Sequence, residues 1–227
     1  AERRIMWRET VLIRAVRSSD MEAVREVYRS SQVVMSRQEF IIHLLRLFKH
    51  PYLVILTVII FLLLYCILQD VVWAAVWGVW VVVVLEGSRY WMFWRQIRRV
   101  FQPGPDLLNL MCYYSHSRRL FLVAEVDGEI VGTAAVRETD DPYTAKLMRM
   151  FVHPRFRRKN IASRLVEACH SEADHLGYKA VELLTHTTNH SAIKCYLKAG
   201  YTPLYVKNFA RLYPHTFDTI HFIWKIK

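Results

Sequence analysis

The sequence predicts an α/β (α+β) protein: a mixed, mostly antiparallel central sheet with flanking helices, interrupted by a membrane helical hairpin. Three observations carry that prediction. Strand-like runs, turn signals and helical patterns alternate through the C-terminal half. A 35-residue stretch from Pro51 to Leu85 carries one charge, Asp70. The chain of 227 residues has 53% hydrophobic residues and a formal charge of +11. Its mean hydropathy of +0.12 is high for so charged a chain, which requires the apolar residues to be concentrated. With 13% aromatic residues the chain is not disordered, and seven Gly and seven Pro leave no low-complexity segment.

Residues 7–17 read as a strand centred on Val11-Leu12-Ile13. It ends at Ser18-Ser19-Asp20, with Asp20 as the N-cap of a helix over MEAVREVYRSS. A second helix, Arg37 to Lys49, sets Phe40, Ile41, Leu44, Leu45 and Phe48 at helical spacing and runs into the apolar block. One helix of that block's length would be about 52 Å long, against a hydrocarbon core of about 30 Å. Gln69-Asp70 divides it into 18 and 15 residues. Arg46, Lys49 and His50 precede it, and Arg89, Arg95, Arg98 and Arg99 follow. Basic flanks stay cytosolic, so the block enters and leaves on one side as a hairpin, with tryptophans such as Trp73 and Trp91 at the interface. The block is internal and residues 1–30 are charged throughout, which does not fit a secretory signal peptide. Residues 88–101 then read as a basic, Trp-rich helix on the membrane surface.

Gln102-Pro103-Gly104-Pro105 breaks the chain, and Asp106 to Ser117 reads as one helix. Leu120–Val126 and Glu129–Arg137 are strands joined by an Asp127-Gly128 hairpin turn. Thr144–Val152 is a third strand, followed by a helix from Asn160 to Leu176 that Gly177 closes. Ala180–Thr185 is a strand, Asn189–Ala199 a helix closed by Gly200, and Tyr201–Val206 and Thr216–Lys225 are the last strands. Residues 1–50 are therefore the first strand and helices of the domain, 51–87 the hairpin insertion, and 88–227 the remainder. Four cysteines lack metal-ligand spacing and read as reduced thiols, so no metal is expected.

The chemistry concentrates at 147–168, LMRMFVHPRFRRKNIASRLVEA. A strand runs into a loop charged by Arg155, Arg157, Arg158 and Lys159, and the loop opens a helix. The first turn of such a helix presents unpaired N–H groups and the positive end of its dipole, a ready phosphate site. Small Ala162 lets a ligand approach the backbone. A solvated basic turn is the plainer reading of the same residues.

Arg157-Arg158-Lys159-Asn160-Ile161-Ala162 resembles the acetyl-CoA pyrophosphate loop of the GNAT acetyltransferases, Gln/Arg-x-x-Gly-x-Gly/Ala, with Asn160 in place of the middle glycine. Asn189, Ala192, Tyr196 and Gly200-Tyr201 resemble that family's Asn-x-x-Ala-x-x-x-Tyr-x-x-x-Gly-Phe/Tyr segment at every spacing. With a hairpin between the first helices and the core, the layout is similar to the camello-like subgroup, which includes cysteine S-conjugate and aspartate N-acetyltransferases. The segments Phe121–Glu125, Asp140-Asp141-Pro142 and Thr219–Ile223 look similar too.

The resemblance implies a GNAT-type sheet and an acetyl-CoA co-substrate held by Arg157, Arg158, Lys159, Asn160, Ile161, Ala162 and Asn189. It implies a backbone N–H among Met150, Phe151 and Val152 as the oxyanion donor. It implies Tyr196 as the acid for the departing thiolate and a small amine as the substrate. Many members carry a Glu base near the start of the fourth strand, where this chain has Lys146. Glu125 is the favoured base here, with Glu138, His116 and His221 as alternatives. Arg149 and Arg137 are candidates for a substrate carboxylate.

The expected protein is a membrane-tethered N-acetyltransferase, in the endoplasmic reticulum with its catalytic domain facing the cytosol. A protein lysine or N-terminal acetyltransferase and a non-catalytic CoA-binding scaffold are the competing readings. The basic residues cluster at the membrane flanks and the phosphate loop, so nucleic acid is not an expected partner.

Overall fold

The computed structural model describes residues 11–49, 51–101, 104–212 and 215–226. Part of the expected first strand, residues 7–10, lies outside them. β1 is Leu12–Ala15. α1 runs unbroken over Met21–Lys49, where the sequence suggested two helices. No Gly or Pro separates them, and the interval Gln32-Val33-Val34-Met35-Ser36 carries no helix stop signal. Asp20 also behaves differently from an N-cap. Its Oδ2 accepts from the backbone N–H of Arg17 at 2.7 Å and from Arg14 Nη1 at 2.6 Å, so the carboxylate turns back toward β1.

α2 covers Pro51–Leu68 and α3 covers Val71–Phe101, so the apolar stretch and the basic Trp-rich segment after it share one helix. The turn between them forms where the sequence placed it. Gln69 adopts φ 55, and Asp70 Oδ1 accepts from the N–H groups of Val72 and Trp73 at 2.8 and 3.1 Å, capping α3. A Cβ on Gly78 would lie 3.8 Å from the Phe61 backbone, so the two helices pack closely as an antiparallel hairpin. Within α3, Val71–Met92 is long and apolar enough to cross a membrane; Ile55–Leu68 of α2 is apolar but shorter. Residues 106–117 form two short helices, α4 (Pro105–Leu108) and α5 (Leu110–Tyr114), parted at Asn109, whose φ of −128 is not helical.

The remaining elements are β2 (Leu120–Val126), β3 (Glu129–Glu138), β4 (Thr144–Val152), α6 (Ile161–His175), β5 (Ala180–His186), α7 (His190–Lys198), β6 (Thr202–Leu212) and β7 (His215–Lys225). They build a seven-stranded sheet in the order β1-β2-β3-β4-β5-β7-β6. Every register described is antiparallel except that of β4 with β5. Asp127 and Gly128, at φ 49 and 83, make the tight turn between β2 and β3.

Contacts divide the chain into two compact units. One contains the described residues up to Met35, from Gly104 to Lys207, and from Thr219 onward; the other contains those from Ser36 to Phe101 and from Asn208 to Asp218. The first holds two apolar layers, one on each face of the sheet. Leu165, Val166, Cys169 and Tyr196 of α6 and α7 pack on Ala134, Leu147, Leu183 and Phe222. Val24 and Val27 of α1, with Leu107 and Leu110, cover Phe121, Val123 and Ala135 on the other face. A Cβ on Gly132 would come within 3.1 Å of Leu165 Cδ1 and 3.3 Å of Ile161 Cγ2, so α6 sits this close to the sheet because position 132 has no side chain.

His170 of α6 stacks on Trp224 of β7 at 3.7 Å, nearly parallel, and its Nε2 is buried with no hydrogen-bond partner among the described residues. Burial lowers its pKa from 6.5 to about 4. Between those values the unfolded chain binds a proton that the native ring refuses. Its contribution is therefore full above about pH 6.5 and is lost as pH falls toward about 4. The melting temperature should drop across that window in thermal unfolding, and His170→Phe, which keeps the stacking surface, should make the drop smaller.

Candidate functional site

β4 and β5 are hydrogen-bonded only at Thr144↔Ala180, Ala145↔Val181 and Lys146↔Glu182. Past that point β4 runs on to Val152 with no described partner on β5, while β5 stays paired with β7 as far as His186↔Thr219. The sheet thus parts between two central strands. Alternate N–H groups of β4 point into the gap.

The departure is built into β4. Its register against β3 shifts between Thr133 and Ala135, and Arg149 takes φ 55, a left-handed conformation in mid-strand. Two contacts hold this bulge. Thr133 Oγ1 donates to the Arg149 carbonyl at 2.8 Å. The Arg149 guanidinium grips Asp106 through Nε and Nη2 at 2.8 and 2.7 Å, and Tyr114 donates to the same carboxylate at 3.2 Å. Burial works to raise Asp106, but the bonds and charge of Arg149 outweigh it, and its carboxyl lies below the usual range. Gly104 makes room for the pair, since a Cβ there would meet Asp106 Oδ1 at 2.5 Å. Arg149 is consequently spent on Asp106 and does not present a free fork to a substrate carboxylate.

Below the gap, α6 begins bare. Its first helical hydrogen bond is Arg164 N–H to the Asn160 carbonyl at 3.2 Å, so the N–H groups of Ile161, Ala162 and Ser163 are left for a ligand. Asn160 adopts φ 61, the conformation for which the resembled loop uses glycine, and its side chain does not cap the helix. Arg158 is also left-handed at φ 68. Consecutive turns of this kind make a concavity of N–H groups suited to anions. Arg155, Arg158 and Lys159 are exposed around it, and Arg157 Nε bonds the Val152 carbonyl at 3.3 Å, tying the loop to the end of β4.

α7 supplies the far wall. Asn189 is its N-cap, with Oδ1 accepting from Ala192 N–H at 3.4 Å and from Ser191 at 3.2 Å. Ser163 in the first turn of α6 lies 3.9 Å from Cys195, which brings Tyr196 beside that turn. Tyr196 is 6% exposed, and its ring meets Tyr201 edge-on at 5.8 Å. Burial pushes its pKa up, so the hydroxyl stays protonated. Met150 and Val152 pack into the same layer as Tyr196 and Ile161. Phe151 points to the opposite face and meets Tyr28 edge-on at 5.1 Å. Met150, Val152, Ile161 and Tyr196 thus share one layer, with Asn189 capping the helix that carries Tyr196.

The favoured base does not join them. Glu125 lies on β2, two strands from β4, and is paired with Arg14 at 2.7 Å. Glu138 is held by Arg119, whose hydrogen bonds bring its carboxyl down to about 2. His116 is exposed before β2. Arg137 pairs with Lys146, and Lys146 with Glu182, which sets Arg137, Lys146 and Glu182 in one row across three strands at the apex of the gap. Glu182 was missed by sequence reasoning. It bonds His221, one of the alternative bases, at 2.9 Å.

A narrow gap beside an anion cradle, with a protonated hydroxyl at its wall, suits a long thioester carrier with a diphosphate, and places the protein among the acyltransferases. The chain belongs to the acetyltransferase (GNAT) family, which it matches over residues 88–201. The bare N–H groups of α6 and the cations around them fit the diphosphate of acetyl-CoA. The chain is similar to human N-acetylaspartate synthetase, 29% identical over 195 residues, 84% of this chain and 62% of that one. It is 31% identical to probable N-acetyltransferase 14 of Xenopus tropicalis over 43% of this chain and 48% of the relative, so it spans about half to three-fifths of these relatives. In fold it is similar to the ribosomal-protein-S18-alanine N-acetyltransferase of Escherichia coli, with a TM-score of 0.55, 13% identity, and 96% and 94% of the two chains covered.

Proposed function

We propose that this protein is a membrane-tethered N-acetyltransferase that moves the acetyl group of acetyl-CoA to the amine of a small amino-acid-type substrate by direct attack. A cysteine S-conjugate is the favoured substrate and an aspartate-like one the alternative. The observation that carries the reading is the meeting of the bare α6 N-terminus, the open edge of β4 and buried Tyr196 around one gap. Acetyl-CoA supplies the acetyl thioester. The N–H groups of Ile161 to Ser163 bind the diphosphate, an N–H of β4 among Met150 to Val152 steadies the carbonyl oxygen, and the Tyr196 hydroxyl gives its proton to the departing sulfur.

Arg137 and Lys146, neighbours on one face of the sheet, supply charge for a substrate carboxylate. Arg137 Nε is buried without a hydrogen-bond partner among the described residues, which suits a group that waits for an anion. Similarity to the human N-acetylaspartate synthetase supports an amino acid as acceptor. The length of Val71–Met92 and the exposed apolar side chains of the hairpin support membrane insertion, and the basic flanks favour a cytosol-facing catalytic domain in the proposed setting of the endoplasmic reticulum.

Thiol release from acetyl-CoA by the full chain in detergent tests the reading, with S-benzyl-cysteine, aspartate, other amino acids and a lysine peptide as acceptors. Turnover on one of the small amines is expected. Turnover on the peptide alone would move the protein to the protein acetyltransferases, and CoA binding with no turnover on any acceptor would overturn the enzymatic reading.

A further inference from the structure

We propose that Glu182, oriented by His221, takes the proton from the substrate's ammonium group. The proposal rests on the acetyltransferase reading above and names the member of its machinery which that reading leaves open. An amine attacks a thioester only after it loses a proton, and a positioned base supplies that step. Among the other carboxylates considered, Glu125 is bound to Arg14 two strands from the gap, and Glu138 is bound to Arg119.

Glu182 is placed differently. It stands opposite Lys146 at the last register where β4 and β5 still pair, directly at the apex of the gap. Its neighbours Val181 and Leu183 pack into the layer under α6 and α7, so alternation along the strand sends Glu182 to the opposite face. The substrate therefore meets Glu182 from the side opposite the anion cradle. His221 on β7 lies across from Leu184, on the same face, and its Nε2 bonds Glu182 Oε2 at 2.9 Å. The Glu182 side chain is 22% exposed and that of His221 12%. The carboxylate reaches open space, whereas the imidazole is sealed, its Nδ1 buried with no hydrogen-bond partner among the described residues.

That asymmetry divides the roles. Glu182 touches the amine, and His221 is a positioning residue that fixes the carboxylate by donating from Nε2. The groups facing the pair are Lys146 on β4, Arg137 beside it on β3, and the Tyr205 ring of β6, edge-on to His221 at 4.9 Å. Adjacent strands lie about 5 Å apart, so the cations and Glu182 stand side by side on one face. An α-amino acid can hold its carboxylate on the cations and its ammonium on Glu182.

In the step, an ammonium N–H bond breaks and its proton passes to a Glu182 oxygen. The electron pair left on nitrogen forms the C–N bond as the C–S bond breaks. The sulfur leaves with that bond's electrons and takes the Tyr196 proton. A second nitrogen proton, released as the amide forms, restores Tyr196, and the proton on Glu182 goes to water.

The test uses the full chain in detergent with aspartate and S-benzyl-cysteine as acceptors. For Glu182→Gln, kcat/KM for the amine should fall about 100-fold near neutral pH. The deficit should shrink to less than about 10-fold near pH 10, where the amine needs no base, and the acetyl-CoA KM should not move. His221→Gln should lose about 10-fold with the same trend, and decides the matter alone if Glu182→Gln fails to fold. A loss equal at both pH values, or no loss, would overturn the assignment and leave the acetyltransferase reading intact. A wild-type chain inert toward every amine would remove both.

Discussion

Asp106→Asn is expected to destabilise the protein by about 3–5 kcal/mol, the usual result of leaving one partner of a buried ion pair alone. The Arg149 side chain is 15% exposed and that of Asp106 6%, so water cannot replace the missing carboxylate. A domain is stable by about 5–15 kcal/mol, so this one substitution takes a large share of the total. Activity should fall further than stability. Arg149 holds a positive φ in the strand that borders the gap, and the Asp106 bonds are what keep it there. The double variant Asp106→Leu with Arg149→Met should regain much of the stability without regaining activity. Denaturant unfolding and thiol release on the same samples check both statements.

Tyr196→Phe is expected to lower kcat about 10- to 100-fold with little change in the acetyl-CoA KM, since only the departing sulfur uses the hydroxyl. The ring fills a buried place against Tyr201 and Phe222, and Phe keeps that packing. Burial holds the hydroxyl protonated, so the wild-type enzyme should lose no rate to tyrosine ionisation at alkaline pH. A full pH profile of both proteins reads this. A fall in acetyl-CoA binding equal to the fall in kcat would instead make Tyr196 a packing residue.

The loop into α6 and the helix start of α7 were legible in the sequence because their parts are local. Arg157 to Ala162 form one loop and helix start, and Asn189 to Tyr196 one helix, so spacing alone sets their geometry. The hairpin Asp127-Gly128 and strand Thr144–Val152 were legible for the same reason. What spacing does not carry is the partner across the fold. Arg149 meets Asp106 from 43 positions away and His221 meets Glu182 from 39. An arginine on a central strand looks like a substrate fork until its carboxylate is found. Glu125 fails as a favoured base likewise, because Arg14 reaches it from 111 positions upstream. Glu182 carried one available signal, an acidic residue amid the apolar run AVELLTH, where a buried charge needs a reason.

The pairing of β1 with β2 bears on how the chain is made. Leu12 sits against Glu125, and the helical hairpin lies between them in the chain. Lengthening a loop costs little at equilibrium, about 0.6 kcal/mol for each doubling, so the finished sheet tolerates the insertion. Synthesis feels it more. At roughly 5–20 residues per second, β1 waits on the order of ten seconds for its neighbour to leave the ribosome. Both apolar helices emerge during that wait. If the hairpin inserts as proposed above, its delivery to a bilayer precedes closure of the sheet, and a chain whose hairpin is delayed holds an unpaired strand and bare apolar helices at once. Translation speed and targeting, rather than equilibrium stability, should then limit the yield of folded protein.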